Sequence, residues 1–262
     1  MKFELDESRV VREIAPGDAM SDGNTEAYFA IGRAALDCIA PGLDASPKKR
    51  FPRILDLACG HGRVLRWLRA AFPKSEITAC DIETDGVDFC ARTFDAVPVY
   101  SAVDPHAIRL EGTFDLIWCG SLLTHLDTDG WNGFLDLVQS VLAPGGVLTF
   151  TVHGRRVAYL LGLGVNDLGL AAEPTERLLD SFHRTGFGYE DYAGQDGYGI
   201  SLSSPGWVSA RITEIREWRL AHFREAGWKN FQDCVSCVRT PIDWLPPGLR
   251  ATLGEAGAGF RA

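Results

Sequence analysis

The chain has 262 residues, 46% of them hydrophobic, and a formal net charge of −9. That length suits one α/β domain with embellishments, and the acidic balance argues against a broad phosphate-binding face for DNA or RNA. The first residues, Met1–Val11, are charged, and no apolar stretch approaches the ~20 residues that span a bilayer, so no secretory signal and no membrane helix is expected and the cytoplasm is the expected location.

In chain order, Thr25–Ala40 reads as a helix with Tyr28, Ile31, Ala35 and Ile39 on one side. Arg53–Ala58 is a short apolar run and reads as a first strand. Gly62–Phe72 carries Val64, Leu65, Leu68, Ala71 and Phe72 at helical spacing and stops at Pro73. Glu76–Asp81 reads as a second strand, Asp85–Phe94 as its helix and Val97–Ser101 as a third strand. Phe114–Cys119 is a buried strand by its Leu-Ile-Trp run. Gly130–Leu142 places Trp131, Phe134, Leu135, Val138, Val141 and Leu142 on one helical stripe, and Ala143–Gly146 is a tight stop before a fifth strand, Val147–Val152. This alternation marks a parallel sheet with covering helices.

The pattern loosens afterwards. Arg155–Gly164 is apolar and broken by glycine, Glu176–Thr185 is a short amphipathic helix, and Phe187–Tyr192 and Gly199–Ser203 are candidate strands. Trp207–Ala226 reads as a longer helix with Val208, Ile212, Ile215 and Trp218, and Val235–Arg239 as a last strand. The organisation expected is one domain over residues 1–240, with its core at about 50–153, a lid helix at 25–40 and a cap at 154–204. Residues 241–262 form a tail rich in Pro, Gly and Ala.

Two patterns have a bland reading. Arg63, Arg66 and Arg69 lie on one predicted helix and suit a solvated face. The seven cysteines are odd in number and scattered, which suits free thiols in a reducing compartment. Cys234 and Cys237 form a CxxC inside a strand-like run, where residues three apart point to opposite faces, so no shared metal is expected.

The most informative segment is Asp56-Leu57-Ala58-Cys59-Gly60-His61-Gly62-Arg63, between the first strand and its helix. Ligands of open parallel sheets bind beyond the carboxyl ends of the strands, and small residues there let the backbone approach them. A dinucleotide loop needs G-x-G-x-x-G, but Ala58, Gly60 and Arg63 occupy those positions, and no Gly-Lys-Ser/Thr ending marks a P-loop. Asp81 ends the second strand 21 residues beyond Gly60, where a carboxylate can accept from both hydroxyls of a ribose. Its alternative reading is a plain strand end.

This loop resembles motif I of the class I S-adenosylmethionine-dependent methyltransferases, with Ala58 where that family often has Gly. Phe114–Ser121 followed by Leu122–Leu126 resembles the family's motif IV region, and Ala143–Thr151 its "PGG" turn and fifth strand. The ordered set covers Arg53 to His153, about 100 residues. The resemblance implies an open, mostly parallel, seven-stranded Rossmann-like α/β sheet with helices on both faces and an antiparallel last strand. It implies S-adenosyl-L-methionine as cofactor, held around Asp56, Ala58, Cys59, Gly60, Gly62 and Arg63, by Asp81 with Ile82 beside it, and at Cys119, Gly120 and Ser121. Asp104 or Ser101 is a weaker candidate for the adenine, with a turn role equally open for Asp104.

Methyl transfer to a hydroxyl is helped by a base, and His125 and His153 each follow a strand on the carboxyl side. Packing roles compete for both. Asp127 could orient His125, and His61 could line the pocket. Tyr28 and Phe29 lie on the lid helix, with core packing as their alternative. Arg155, Arg156, Tyr159, Tyr189, Tyr192, Tyr198 and Trp207 suit an acceptor site or an ordinary interface. The expected function is O-methylation of a small-molecule or glycan acceptor, with no nucleic acid, membrane or metal involved. A catalytically silent cofactor-binding protein on the same fold is the alternative. A nicotinamide oxidoreductase is disfavoured by Arg63, and amino methylation of nucleic acid by the absence of an N/D-P-P-F/Y motif at Cys119–Leu122.

Overall fold

The structure is a computed structural model that describes residue 3, residues 5–21 and residues 23–240. The expected tail at 241–262 lies outside the described residues.

The chain runs α1 (Thr25–Ala45), β1 (Arg53–Leu57), α2 (Leu65–Ala71), β2 (Glu76–Asp81), α3 (Thr84–Phe94), β3 (Val97–Tyr100), β4 (Phe114–Cys119), α4 (Thr128–Val141) and β5 (Leu142–Val152). Then come α5 (Arg155–Gly162), α6 (Ala172–Thr185), β6 (Phe187–Tyr192), β7 (Gln195–Ser203), α7 (Pro205–Thr213), β8 (Trp218–Trp228) and β9 (Gln232–Arg239). Seven strands form one sheet in the order β3-β2-β1-β4-β5-β9-β8. β1 to β5 pair in parallel, whereas β9 runs antiparallel to both neighbours, so the expected open α/β sheet with an antiparallel last strand is present. The strand order reverses between β1 and β4, which opens a crevice at their carboxyl ends.

The sheet is buried on both faces, and successive strand residues serve opposite sides. Ile54, Leu116, Trp118, Val147 and Cys234 join α1, α2 and α3 in one core. Leu55, Ile117, Cys119, Leu148 and Val235 pack with α4 and α7 in the other. Cys234 and Cys237 fall on opposite faces, as their spacing requires. A third cluster joins Val157 and Leu161 of α5, Leu178 and Phe182 of α6, and Ile200 and Leu202 of β7. β6 and β7 form a separate hairpin that covers the carboxyl edge of the sheet.

Four sequence readings need correction. The expected helix Trp207–Ala226 is two elements, α7 and β8. Ile212, Ile215 and Trp218 imitate helical spacing, while two register shifts in the β8–β9 pairing blur the alternation of a strand. The helix expected to end at Ala40, α1, runs past Pro41 to Ala45, where buried Gly42 lies against β5 and β9; an added Cβ there would stand 2.7 Å from Val147.

The Arg63–Arg69 stretch is not a solvated face. Arg66 is 1% exposed and donates to the carbonyls of Gly62, Val11 and Glu13 and to the Tyr28 hydroxyl. Arg69 donates to the carbonyls of Phe94, Ser75 and Asp95. Both guanidinium groups staple neighbouring segments to α2, and backbone acceptors offset their burial. Finally, Cys38 of α1 and Cys234 of β9 are joined as a disulfide with Cα atoms 5.8 Å apart, leaving Cys59, Cys80, Cys90, Cys119 and Cys237 as free thiols. No described helix is long and apolar enough to cross a membrane.

Candidate active site

The β1–α2 loop is shaped by three residues with positive φ: Ala58 (63°), Gly60 (50°) and Gly62 (78°). The N–H groups of Ala58 and Cys59 both donate to the Cys80 carbonyl, which ties the loop to the end of β2. Gly62 is hemmed in, since an added Cβ would lie 2.5 Å from the Phe94 ring. Gly86 at the start of α3 is equally confined, 2.7 Å from the Gly60 carbonyl. The Cβ direction of Gly60, by contrast, meets nothing within 4 Å and faces open space. The loop is therefore fixed from behind and bare in front, a surface on which a ligand can lie against backbone.

The two acids stand at either side of this loop. Asp81 accepts from the Gly60 N–H at 2.7 Å through Oδ2 and from the Glu83 N–H at 3.0 Å through Oδ1. Each oxygen keeps a further lone pair for ligand hydroxyls. Asp56 is 1% exposed, and its Oδ2 has no hydrogen-bond partner. Burial, and then the charge of Asp81, push its pKa up to about 8. Ile82 is exposed beside Asp81. Cys59 and Cys119 are buried and turn their side chains into the protein, so they offer a ligand backbone only. His61 is clamped 3.2 Å from Asp85 and 3.8 Å from Glu83, which makes it a brace between the loop and α3 rather than a reactive group. Asp104 accepts from the His106 N–H and is a turn residue. Ser101 lines a small cavity with Leu57, Ala102, Leu122 and Leu126, next to the carboxyl ends of β1, β3 and β4. Larger clefts lie at the opposite end of the strands, around Phe51 and Phe72 and around Arg53 and Glu76, away from all of these groups.

Beyond β4, Gly120 and Ser121 make a sharp exit. An added Cβ on Gly120 would meet the Trp118 ring at 2.9 Å, and Ser121 holds φ at 64°. The Ser121 N–H donates to Thr151 Oγ1 at 2.8 Å, and Thr151 donates to Gln232 Oε1 at 2.6 Å. Because Thr151 fixes the amide oxygen, the Gln232 amide nitrogen is left to donate to Ser121 Oγ at 3.0 Å. It also stands 3.5 Å from His153 Nε2. Gln232 thus links the ends of β4, β5 and β9. The sequence reading missed it, because only the antiparallel return of β9 brings residue 232 beside residue 121.

The structure separates the two candidate histidines. His153 is 4% exposed, its Nδ1 has no partner, and burial pushes its pKa down to about 3. It lies behind Gln232, with Phe231 against its ring. His125 is half-buried on the turn after β4. Its Nδ1 lies 2.8 Å from the Gly199 carbonyl of β7, and its ring stacks on Tyr198 with centroids 5.0 Å apart. Tyr192 flanks the same ring. Asp127 does not orient His125; it caps α4 by accepting from the Gly130 N–H. Of the late aromatics, Trp207 stacks on Phe187 and packs against Trp131 in the core, and Tyr159 is exposed on α5. Tyr189 donates to Asp191 on its own strand, and Arg155 pairs with Glu225. On α1, Tyr28 donates to Asp18 at 2.6 Å and Phe29 packs on Trp67, both within the core.

Residues 54–146 match the methyltransferase domain family. Over these residues the chain matches a methyltransferase domain, on the fold of the class I, S-adenosylmethionine-dependent enzymes. Among curated relatives, the malonyl-[acyl-carrier protein] O-methyltransferase of Enterobacter lignolyticus is 36% identical over 109 residues, 40% of this chain and 40% of the relative. The protein of the same name from Acetivibrio thermocellus is 26% identical over 133 residues, 50% of this chain and 46% of the relative. The chain therefore spans less than half the length of these relatives. An S-adenosylmethionine-dependent methyltransferase from Clostridium acetobutylicum shares the fold with a TM-score of 0.54 at 15% identity, over 84% of this chain and 96% of that one. The plantazolicin methyltransferase BpumL gives 0.58 at 12% identity, over 85% and 89%.

The residues of this methyltransferase domain fit the cofactor by their own chemistry. The bare front of Gly60 admits close approach, and the buried, unpartnered oxygen of Asp56 suits the positive charge of an α-ammonium or a sulfonium. Asp81 presents a held carboxylate whose remaining lone pairs can accept from a pair of hydroxyls such as a ribose carries.

Proposed function

We propose that this domain methylates an oxygen of a small polar acceptor, a free small molecule or a glycan, with His125 as the general base. The observation that carries the reading is the His125–Gly199 contact. A ring nitrogen facing a carbonyl must carry the proton, so Nδ1 is the donor and Nε2 the basic nitrogen. Among the described residues Nε2 has no hydrogen-bond partner. Burial holds the His125 pKa below the usual histidine value, so the ring is neutral and ready to accept a proton at pH 7.

When bound, S-adenosylmethionine supplies an electrophilic methyl group. Asp56, the Gly60 backbone and Asp81 hold and orient it. Tyr198, near enough to Glu83 and Asp81 for their charge to raise its pKa and stacked on His125, stands beside the same crevice. The catalytic role expected of His153 passes to positioning, because its ring lies behind Gln232 rather than in the crevice.

The test is label transfer from methyl-labelled S-adenosylmethionine into a pool of hydroxylated small molecules and oligosaccharides, with His125→Gln alongside. The expected result is alkali-stable label, the mark of an ether, and a loss of about 100-fold or more in the variant. S-adenosylhomocysteine affinity should stay within about threefold. Label released by mild alkali would instead indicate a carboxyl ester, the acceptor type in the names of the two curated relatives. A carboxylate carries no proton to remove, so that outcome would end the base role of His125.

A further inference from the structure

The two clefts at the amino end of the sheet differ in charge. One is balanced, with Arg53 and Arg109 against Glu76 and Glu111, and Arg53 is paired with Glu76 at 3.0 Å. The other, of about 540 Å³, is lined by three cations, Lys49, Arg50 and Lys74, and by no acid. All three are exposed, and among the described residues none of their side chains has an ion pair or a hydrogen bond. Their neighbours are spent, Lys48 on Asp115 and Arg53 on Glu76. On a chain of net charge −9, three unpaired cations around one concavity focus a positive potential that the rest of the molecule does not share.

The floor of this cleft is apolar and held. Phe51, which is 4% exposed, and half-buried Phe72 meet edge to face with centroids 6.4 Å apart, and Pro52 and Pro73 add to the wall. Ser75 Oγ donates to the Phe51 carbonyl at 2.7 Å, and the Glu76 N–H donates to the Pro52 carbonyl at 2.8 Å, so the two lining segments are tied together. Arg69 holds the Ser75 carbonyl from α2. A cleft braced in this way loses little freedom on receiving a ligand. Its volume is that of a small-molecule site, and apolar walls with a few convergent polar groups are the common make-up of such sites. The cleft lies at the start of β1 and the glycine loop at its end, with five residues of strand, about 17 Å, between them. A molecule bound here is therefore separate from anything in the crevice.

A phosphate monoester carries close to two negative charges at pH 7 and three acceptor oxygens, which three cations can share, whereas a carboxylate would leave most of their charge unmet. A flat ring attached to it suits a floor of phenylalanine and proline. We propose that the cleft between Phe51 and Phe72 is a second ligand site, which takes a small aryl phosphate with its ring on the aromatic floor and its phosphate among Lys49, Arg50 and Lys74.

The test is calorimetric titration of the full chain with three probes, each with and without excess S-adenosylhomocysteine. Phenyl phosphate has the ring and the charge, inorganic phosphate only the charge, and phenol only the ring. Phenyl phosphate is expected to bind one per chain and at least about tenfold more tightly than either of the others, with S-adenosylhomocysteine changing that affinity less than about twofold. Lys49→Gln, Arg50→Gln and Lys74→Gln should each weaken phenyl phosphate by about three- to tenfold, and the triple variant by about 30-fold or more. These side chains are exposed, so the variants should fold, which circular dichroism checks. Phe72→Leu should erase the advantage of phenyl phosphate over inorganic phosphate; if that variant fails to fold, the comparison of the three probes on the unmodified chain decides the role of the floor. Undiminished phenyl phosphate binding by the triple variant, its displacement by S-adenosylhomocysteine, equal affinity for inorganic phosphate, or no binding at millimolar concentration would each overturn the inference.

Discussion

On the β1 and β2 side of the crevice, the groups that face a ligand are mostly backbone, held by glycines and by Asp81. On the β4, β5 and β9 side the wall is set by side chains, Ser121 with buried Thr151, Gln232 and His153 behind it, held by one another. The first side is fixed by local sterics and admits little change. The second is a network whose members come from three strands, and it can be re-specified by exchanging side chains. A constant donor needs the first kind of surface, and a particular acceptor needs the second.

The sharpest way to break this comparison is at the glycines. Gly62→Val places a Cβ against Phe94 at a φ of 78°, so strain and overpacking add. A loss of about 3 kcal/mol or more is expected in chemical denaturation. Gly60→Ala shares the positive φ but meets nothing, so it should cost about 1 kcal/mol in stability while weakening S-adenosylhomocysteine binding by about tenfold or more. Similar outcomes for the two would mean that Gly60 is not the open face of the loop.

The acceptor side should respond in the opposite sense. Gln232→Leu strands Thr151 and Ser121 without their buried partner and is expected to cost about 2–3 kcal/mol. S-adenosylhomocysteine affinity should change less than about threefold, because no donor-side group is touched. A large loss of affinity would show the two sides to be one site.

How legible each side was in the sequence follows from the same contrast. The loop residues Asp56 to Arg63 and the acid Asp81 belong to one strand–helix–strand unit, so short-range spacing exposes them. Gln232 has no motif and becomes visible only through the pairing of β5 with β9. The identity of β8 was hidden because it is an edge strand whose register shifts disturb its alternation. Arg66 misled for a different reason. A guanidinium on a helix reads as surface until the N-terminal carbonyls of Val11 and Glu13, more than fifty residues away in sequence, are seen to cover it. Of the two histidines, the sequence offers no means of telling which ring faces the crevice, since Gly199 and Gln232 make that choice from distant strands.

Asp56 provides a test by pH. Its folded pKa of about 8 lies above the ordinary carboxylate value near 3.9. The folded state therefore holds a proton that the unfolded state has lost, and stability declines as pH rises from about 4 to about 8, then levels off. Asp56→Asn should remove that slope and gain about 2 kcal/mol at pH 8 in the ligand-free protein, read from urea midpoints across pH. The same ionisation favours a bound ammonium, so S-adenosylhomocysteine affinity should climb towards pH 8 in the unmodified protein and be flatter in the variant. A stability profile that rises with pH over this window, once other groups are matched by the variant, would refute the burial of Asp56 as described.

The smallest effect expected is at Ala58, where the loop departs from glycine. Its φ of 63° places an L side chain in the left-handed region, which costs about 1–2 kcal/mol relative to ordinary helical backbone. Glycine removes that strain but loses more conformational freedom on folding, so the two effects oppose. Ala58→Gly should therefore stabilise the protein by only about 0.5–1 kcal/mol, a shift of a few degrees in Tm. Its N–H donates to Cys80 in either case, so S-adenosylhomocysteine affinity should hold. If the glycine variant bound the cofactor distinctly better, the alanine methyl would be touching the ligand, and Ala58 would move from the back of the loop to its front.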